Sequence, residues 1–150
     1  MPHSYVSNLM HCTFGTKERF PFIDPELESR LWPYLGGIAR KNAMKALSIG
    51  GTADHIHGPL SLPATMSFAK ALQLIKGGSS KWIHDNFSSF KKFEWQEGYG
   101  AFSVSASQVK KTMAYIQNQK EHHRKKTFQE EFLEFLDKHG VEYDPRYVFR

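Results

Sequence analysis

The arrangement of two long stretches of helical periodicity between short runs rich in β-branched and aromatic residues constrains this chain most. Residues 4–14, SYVSNLMHCTF, read as a strand. Asp24-Pro25-Glu26 then has the chemistry of a helix start, with Asp as N-cap, Pro at the first helical position and an acid in the first turn. Leu27, Leu31, Leu35 and Ile38 recur at helical spacing to about Lys41, with Pro33 as a possible kink. Residues 44–50 and 54–62 read as two strands of a hairpin that turns at Gly50-Gly51-Thr52. Thr65 to about Phe87 is helical in pattern, and Gly77-Gly78 is expected to divide it. Residues 99–104 read as a fourth strand. Ser105 or Ser107 is placed to cap a long helix to about Lys126, and Phe128–His139 forms a last helix ended by Gly140.

The order is βαββαβ followed by two helices. It predicts an α+β chain, a ferredoxin-like (RRM-like) sandwich with an antiparallel sheet and C-terminal helices. We expect one domain over 1–150: a core to residue 105, a helix over about 106–126, and a helix and tail over 127–150. That fold hosts many functions and names none.

Composition narrows the classes. With 40% hydrophobic and 14% aromatic residues in 150, the chain can bury a core, which excludes a disordered tail or a collagen-like repeat. Its single cysteine, Cys12, cannot form an internal disulfide, so a reducing compartment is expected. No apolar run is long enough to span a membrane, and no charged segment followed by an apolar one opens the chain, so a cytoplasmic protein is expected. The net charge is +5. Residues 106–126 alone hold six Lys and Arg against Glu121, a focused basic stripe. Such a stripe is either a solvated helix face or a footprint for phosphates.

His55-Ile56-His57 is the sharpest local feature. Side chains alternate along a strand, so both imidazoles project from one face and could share a divalent metal. Tyr115 and Gln119 stand four apart on the predicted helix, on one face. A tyrosine hydroxyl can attack a phosphodiester when a metal polarises the phosphate. The Gln119 carbonyl could be a third ligand for Mg2+ or Mn2+, and His122, seven residues from Tyr115, rivals it. Each residue alone also has a structural reading, Tyr115 as a half-buried helix aromatic among them.

Taken together these residues resemble the single-tyrosine HUH transposases, the insertion-sequence (IS200-like) and REP-associated tyrosine transposase group. The likeness is carried by Asp54-His55-Ile56-His57, by Tyr115-Ile116-Gln117-Asn118-Gln119, and by flanks over 95–103 and 120–128 and an ending over 138–144. It covers nearly the whole chain. One departure is Gly58-Pro59, where the family usually continues the strand with bulky apolar residues. Proline cannot donate a ladder hydrogen bond, so either a bulge follows the histidines or the enzyme is impaired.

The resemblance implies an enzyme that cleaves and rejoins single-stranded DNA, commonly at hairpin ends. Tyr115 would be the nucleophile forming a 5′-phosphotyrosine, and His55, His57 and Gln119 the ligands of Mg2+ or Mn2+. It implies a homodimer, in which the tyrosine helix can complete the partner's site, and a bacterial or archaeal, nucleoid-associated setting. The DNA contacts expected are Lys110, Lys111, Arg124, Lys125 and Lys126, with Lys76 and Lys81 around the glycine pair, whose amides could approach phosphates. Trp82, Trp95 and Phe102 offer ring faces either to unpaired bases or to the core. Two alternatives remain open: a catalytically silent DNA-hairpin-binding domain, supported by Pro59, and a metal-dependent phosphoesterase that activates water.

Overall fold

The structure is a computed structural model that describes residues 4–122 and 126–149; the side chains of Lys120 and His122 lie outside that description. The elements are β1 (Leu9–Gly15), α1 (Pro25–Lys41), β2 (Lys45–Ala46), β3 (Gly50–Thr52), β4 (His55–Ser61), α2 (Phe68–Asn86), β5 (Gly100–Ser103), α3 (Val109–Gln117), α4 (Gln119–His122) and α5 (Phe128–Lys138). The chain is α+β. Its five strands form one antiparallel sheet in the order β2-β4-β1-β5, with β3 also paired to β4. Because β4 lies between β1 and the β2/β3 edge, the chain crosses by α1 from β1 to a parallel strand two places away. It crosses again by α2 from β4 to β5, with β1 between.

Alternation along β1 and β4 sorts the two faces. Met10, Cys12 and Phe14 of β1, with Ile56 and Leu60 of β4, meet Leu27, Leu31, Leu35 and Ala39 of α1 and Leu72, Ile75 and Ile83 of α2 in the main core. The opposite face carries His11, Thr13, His55, His57 and Phe102. It is covered by α3 and by α5, whose Phe128, Phe132 and Leu136 pack with Phe102 in a second cluster.

Local chemistry accounts for the helix ends. The Asp24 side chain accepts from the Leu27 amide at 2.8 Å and caps α1. Helix α1 continues through Pro33: the carbonyl that loses its partner belongs to Ser29 on the exposed side, where water can meet it. Thr127 and Glu130 cap α5 reciprocally.

Several expectations are corrected. Gly77-Gly78 does not divide the second helix, because α2 is continuous over Phe68–Asn86. A Cβ on Gly78 would stand 3.1 Å from Ile38 Cδ1, so that glycine serves the close approach of α1 and α2. The hairpin turns at Ala53-Asp54, and Gly50-Gly51-Thr52 is strand. A Cβ on Gly51 would lie 2.2 Å from the His55 carbonyl oxygen, so the pairing there admits no side chain. The expected strand over 44–50 is interrupted. The register runs from Ala46↔Leu60 to Gly50↔His57, so three residues on the edge oppose two on β4. That is a bulge, and it faces Gly58-Pro59. Leu47 donates to the Pro59 carbonyl at 2.9 Å, so the N–H that Pro59 lacks would have pointed to the bulged edge. Strand β4 therefore passes through Pro59 intact. Finally, the helix expected over 106–126 starts with a short turn at Ala106–Gln108, has no side-chain cap from Ser105, and breaks at Asn118 between α3 and α4.

Candidate metal and tyrosine site

His55 and His57 project from the same face of β4, as strand alternation requires, and neither is exposed to solvent. Their rings lie 5.3 Å apart and nearly perpendicular. Helix α3 reaches them because β3 presents no side chain at Gly50. A Cβ there would stand 2.5 Å from the Ile116 carbonyl oxygen, so only glycine lets the end of α3 settle on the sheet. This approach carries Tyr115 to 5.8 Å from the His57 ring and buries Gln119 against His55. Both come from the same chain as the histidines.

Proton positions follow from the partners. His55 Nδ1 lies 2.7 Å from the Asp54 carboxylate and 3.0 Å from the Thr52 hydroxyl. A carboxylate only accepts, so Nδ1 donates to Asp54 and Nε2 is the nitrogen turned to the site. His55 Nε2 faces Gln119 Oε1 at 3.1 Å, while the Gln119 amide nitrogen donates to the Tyr115 carbonyl at 3.3 Å. The oxygen of Gln119 is thus the atom turned to the imidazole.

His57 repeats the pattern. Its Nδ1 lies 2.8 Å from His11 Nε2, and its Nε2 lies 2.7 Å from Glu131 Oε1. Burial first, then the neighbouring His57, pushes His11 down to about 3, so His11 is neutral near pH 7. The carboxylate only accepts, so His57 Nε2 donates to Glu131, and a bound cation would take the place of that proton. His55, His57 and Glu131 offer ligand atoms within 4.8 Å of one another. Two imidazole nitrogens, an amide oxygen and a carboxylate oxygen that converge on one point are a donor set that fits a divalent cation.

Glu131 also accepts from the Tyr115 hydroxyl through its other oxygen. Burial, then this bond to the carboxylate, holds the phenol well above its usual range, so Tyr115 rests protonated.

Glu131 and His11 are the site residues that motif spacing did not reveal. Glu131 had a signal: it falls on the apolar stripe of α5, three after Phe128 and four before Phe135, where a carboxylate must have a buried partner. His11 sits on the face of β1 opposite its apolar residues.

The expected DNA contacts are dispersed. Lys110 and Lys111 stand exposed on α3. Lys126 pairs with Glu134. Lys81 is exposed and pairs with Asp85. Lys76 donates to the carbonyls of Gln96, Glu97 and Gly98, so its ammonium ties down the loop before β5. The amides of Gly77-Gly78 lie inside a continuous helix. Arg124 and Lys125 lie outside the described residues. Trp95 and Phe102 are buried, and Trp82 stacks on Tyr34 at 4.2 Å.

The model of the family described as "Transposase IS200 like" matches residues 4–119. The chain belongs to that family. Two solved structures share its fold. A candidate transposase from Deinococcus radiodurans R1 is 22% identical, with a TM-score of 0.65 over 79% of this chain and 96% of that one. A REP-associated tyrosine transposase bound to a REP hairpin is 15% identical, with a TM-score of 0.60 over 82% of this chain and 73% of that one. No curated protein matches the sequence. Among the described residues no helix is long and apolar enough to cross a membrane.

Proposed function

We propose that this transposase cleaves and rejoins single-stranded DNA through a covalent link to Tyr115. The observation that carries the reading is the contact of the Tyr115 hydroxyl with Glu131, beside the Nε2 atoms of His55 and His57 and the Gln119 oxygen. Family membership supports a DNA substrate, and the hairpin held by the structural neighbour supports folded single strands as the form recognised.

His55, His57, Gln119 and Glu131 would hold the cation, Mg2+ or Mn2+. When bound, it polarises the scissile phosphate and offsets the charge that builds on it. Tyr115 attacks phosphorus, and its proton passes to Glu131. The bond from phosphorus to the 3′ oxygen breaks, that oxygen takes up a proton from water, and the DNA is left as a 5′-phosphotyrosine with a free 3′-hydroxyl. The new ester conserves the phosphodiester energy, so a 3′-hydroxyl of another strand can reverse the step and join. Asp54 and His11 would hold the two imidazoles with Nε2 turned to the cation. Lys110 and Lys111, exposed on the helix that carries Tyr115, would meet the backbone of the incoming strand, and Arg124 and Lys125 belong to the same basic stretch of sequence.

A denaturing-gel assay tests this. Labelled single-stranded DNA carrying the hairpins that flank the gene is incubated with Mn2+ or chelator. A covalent protein–DNA band that requires Mn2+ and disappears in Tyr115→Phe is the expected result. Cleavage retained in Tyr115→Phe without such a band would instead establish a hydrolase that activates water. Binding with neither would leave a silent hairpin-binding domain.

A further inference from the structure

A cavity of about 530 Å3 opens between the end of β5, α3 and α5, and the metal and tyrosine site forms one end of it. Tyr115, Glu131 and His11 are shared by the two. We propose that this cavity seats one unpaired deoxynucleotide, the one adjoining the phosphate that Tyr115 attacks. The inference rests on the reading of Tyr115 as nucleophile and adds to it a protein pocket that grips a base.

Three features select that occupant. The first is the wall of rings. Phe102 is 5.5 Å from Phe135 at 21° and 4.5 Å from His139 at 29°, so three rings lie close to parallel along one side. Stacking on such rings takes any base and is worth about 1–3 kcal/mol per base. Phe102 is buried beneath the others, and the outer rings, Phe135 and His139, are reached from the cavity. The second is charge. Lys111 and Lys138 line the cavity, and among the described residues neither has a hydrogen-bond or ion-pair partner, whereas Glu134 on the same wall is paired with Lys126. Two cations at the mouth of an aromatic slot suit a phosphodiester backbone. The third is size and position. The volume lies within the range of small-molecule pockets. A base held within a duplex cannot enter such a slot without leaving its stack. A nucleotide seated there has its phosphate at the end where Tyr115 and the metal ligands stand.

The test is a nuclear magnetic resonance titration of the full chain, in chelator so that phosphates do not bind through metal. The probes are the four deoxynucleoside 5′-monophosphates, with 2-deoxyribose 5-phosphate as the ligand lacking a base. We expect shifts at the amides of 102–105, 111–115 and 135–139, and binding at least tenfold tighter for nucleotides than for the sugar phosphate. Thr112→Trp fills the cavity and should abolish those shifts; Ser105→Trp at the exposed rim is the second variant if the first does not fold. Equal binding of the sugar phosphate, shifts elsewhere, or nucleotide binding unchanged in a folded cavity-filling variant would overturn the pocket. The covalent assay separates the two claims. Nucleotide binding here with no adduct on any DNA sinks the nucleophile and leaves the pocket. Adduct formation as fast in Thr112→Trp as in wild type sinks the pocket and leaves the nucleophile; the pocket predicts at least a tenfold loss.

Discussion

At the scale of single residues, the site depends on which nitrogen of each imidazole faces it. Asp54 holds His55 through Nδ1, and His11 stands behind Nδ1 of His57. His11→Phe keeps the ring that packs edge-on against Phe135 and removes the nitrogen that bonds His57. It should weaken Mn2+ binding by about 10- to 100-fold in calorimetric titration, as other losses of partners behind a metal-bound histidine do, whereas Phe135→Leu should leave Mn2+ binding near wild type. The same residue gives a pH signature in the metal-free protein. Folded His11 stays neutral down to about 3, while in the unfolded chain it takes up a proton below its ordinary 6.5. The unfolded state then binds the extra proton, so stability is full above 6.5 and declines as pH falls through that window. Between pH 6.5 and pH 5 wild type should lose about 2 kcal/mol more than His11→Gln in urea unfolding. An equal loss in both would show that His11 is not held neutral by the fold. The histidine pair and Tyr115 could be read from spacing, because strand and helix periodicities put i, i+2 and i, i+4 on common faces. Glu131 and His11 could not, because their contacts cross 74 and 46 positions in the chain.

At the scale of elements, the sheet face that carries the histidines is built to be approached. Gly50 admits the end of α3, and the break at Asn118 turns Gln119 inward while Tyr115 remains on the helix. Gly50→Ala sets a Cβ against backbone, which cannot move as a side chain tip does. We expect a loss of about 1–3 kcal/mol in stability and weaker Mn2+ binding, since α3 must lift. Gly77→Ala, whose Cβ would meet nothing within 4 Å, is the control and should not destabilise. The element order, the α+β class and the α1 and α5 boundaries were legible because caps and apolar spacing are local. The bulge opposite Gly58-Pro59 and the continuity of α2 were not. Both are set by what packs against them: an edge strand that absorbs the missing N–H, and Ile38 of α1, which presses on Gly78.

At the scale of the whole molecule, one chain supplies every group of the site: His11 from β1, the two histidines from β4, Tyr115 from α3, Gln119 from α4 and Glu131 from α5. If that arrangement is the working one, mixing Tyr115→Phe with His57→Ala protein should restore no covalent product. Recovery in the mixture would mean that tyrosine helices are exchanged between subunits of a homodimer, the arrangement the family resemblance implied. The central claim is that Tyr115 is the covalent nucleophile of a metal-dependent site. The most direct measurement is peptide mass spectrometry of the protein trapped on its hairpin DNA with Mn2+. The account predicts a nucleotide phosphodiester on the peptide carrying Tyr115, absent with chelator. A nucleotide on any other residue, or cut DNA with every peptide unmodified, would contradict it.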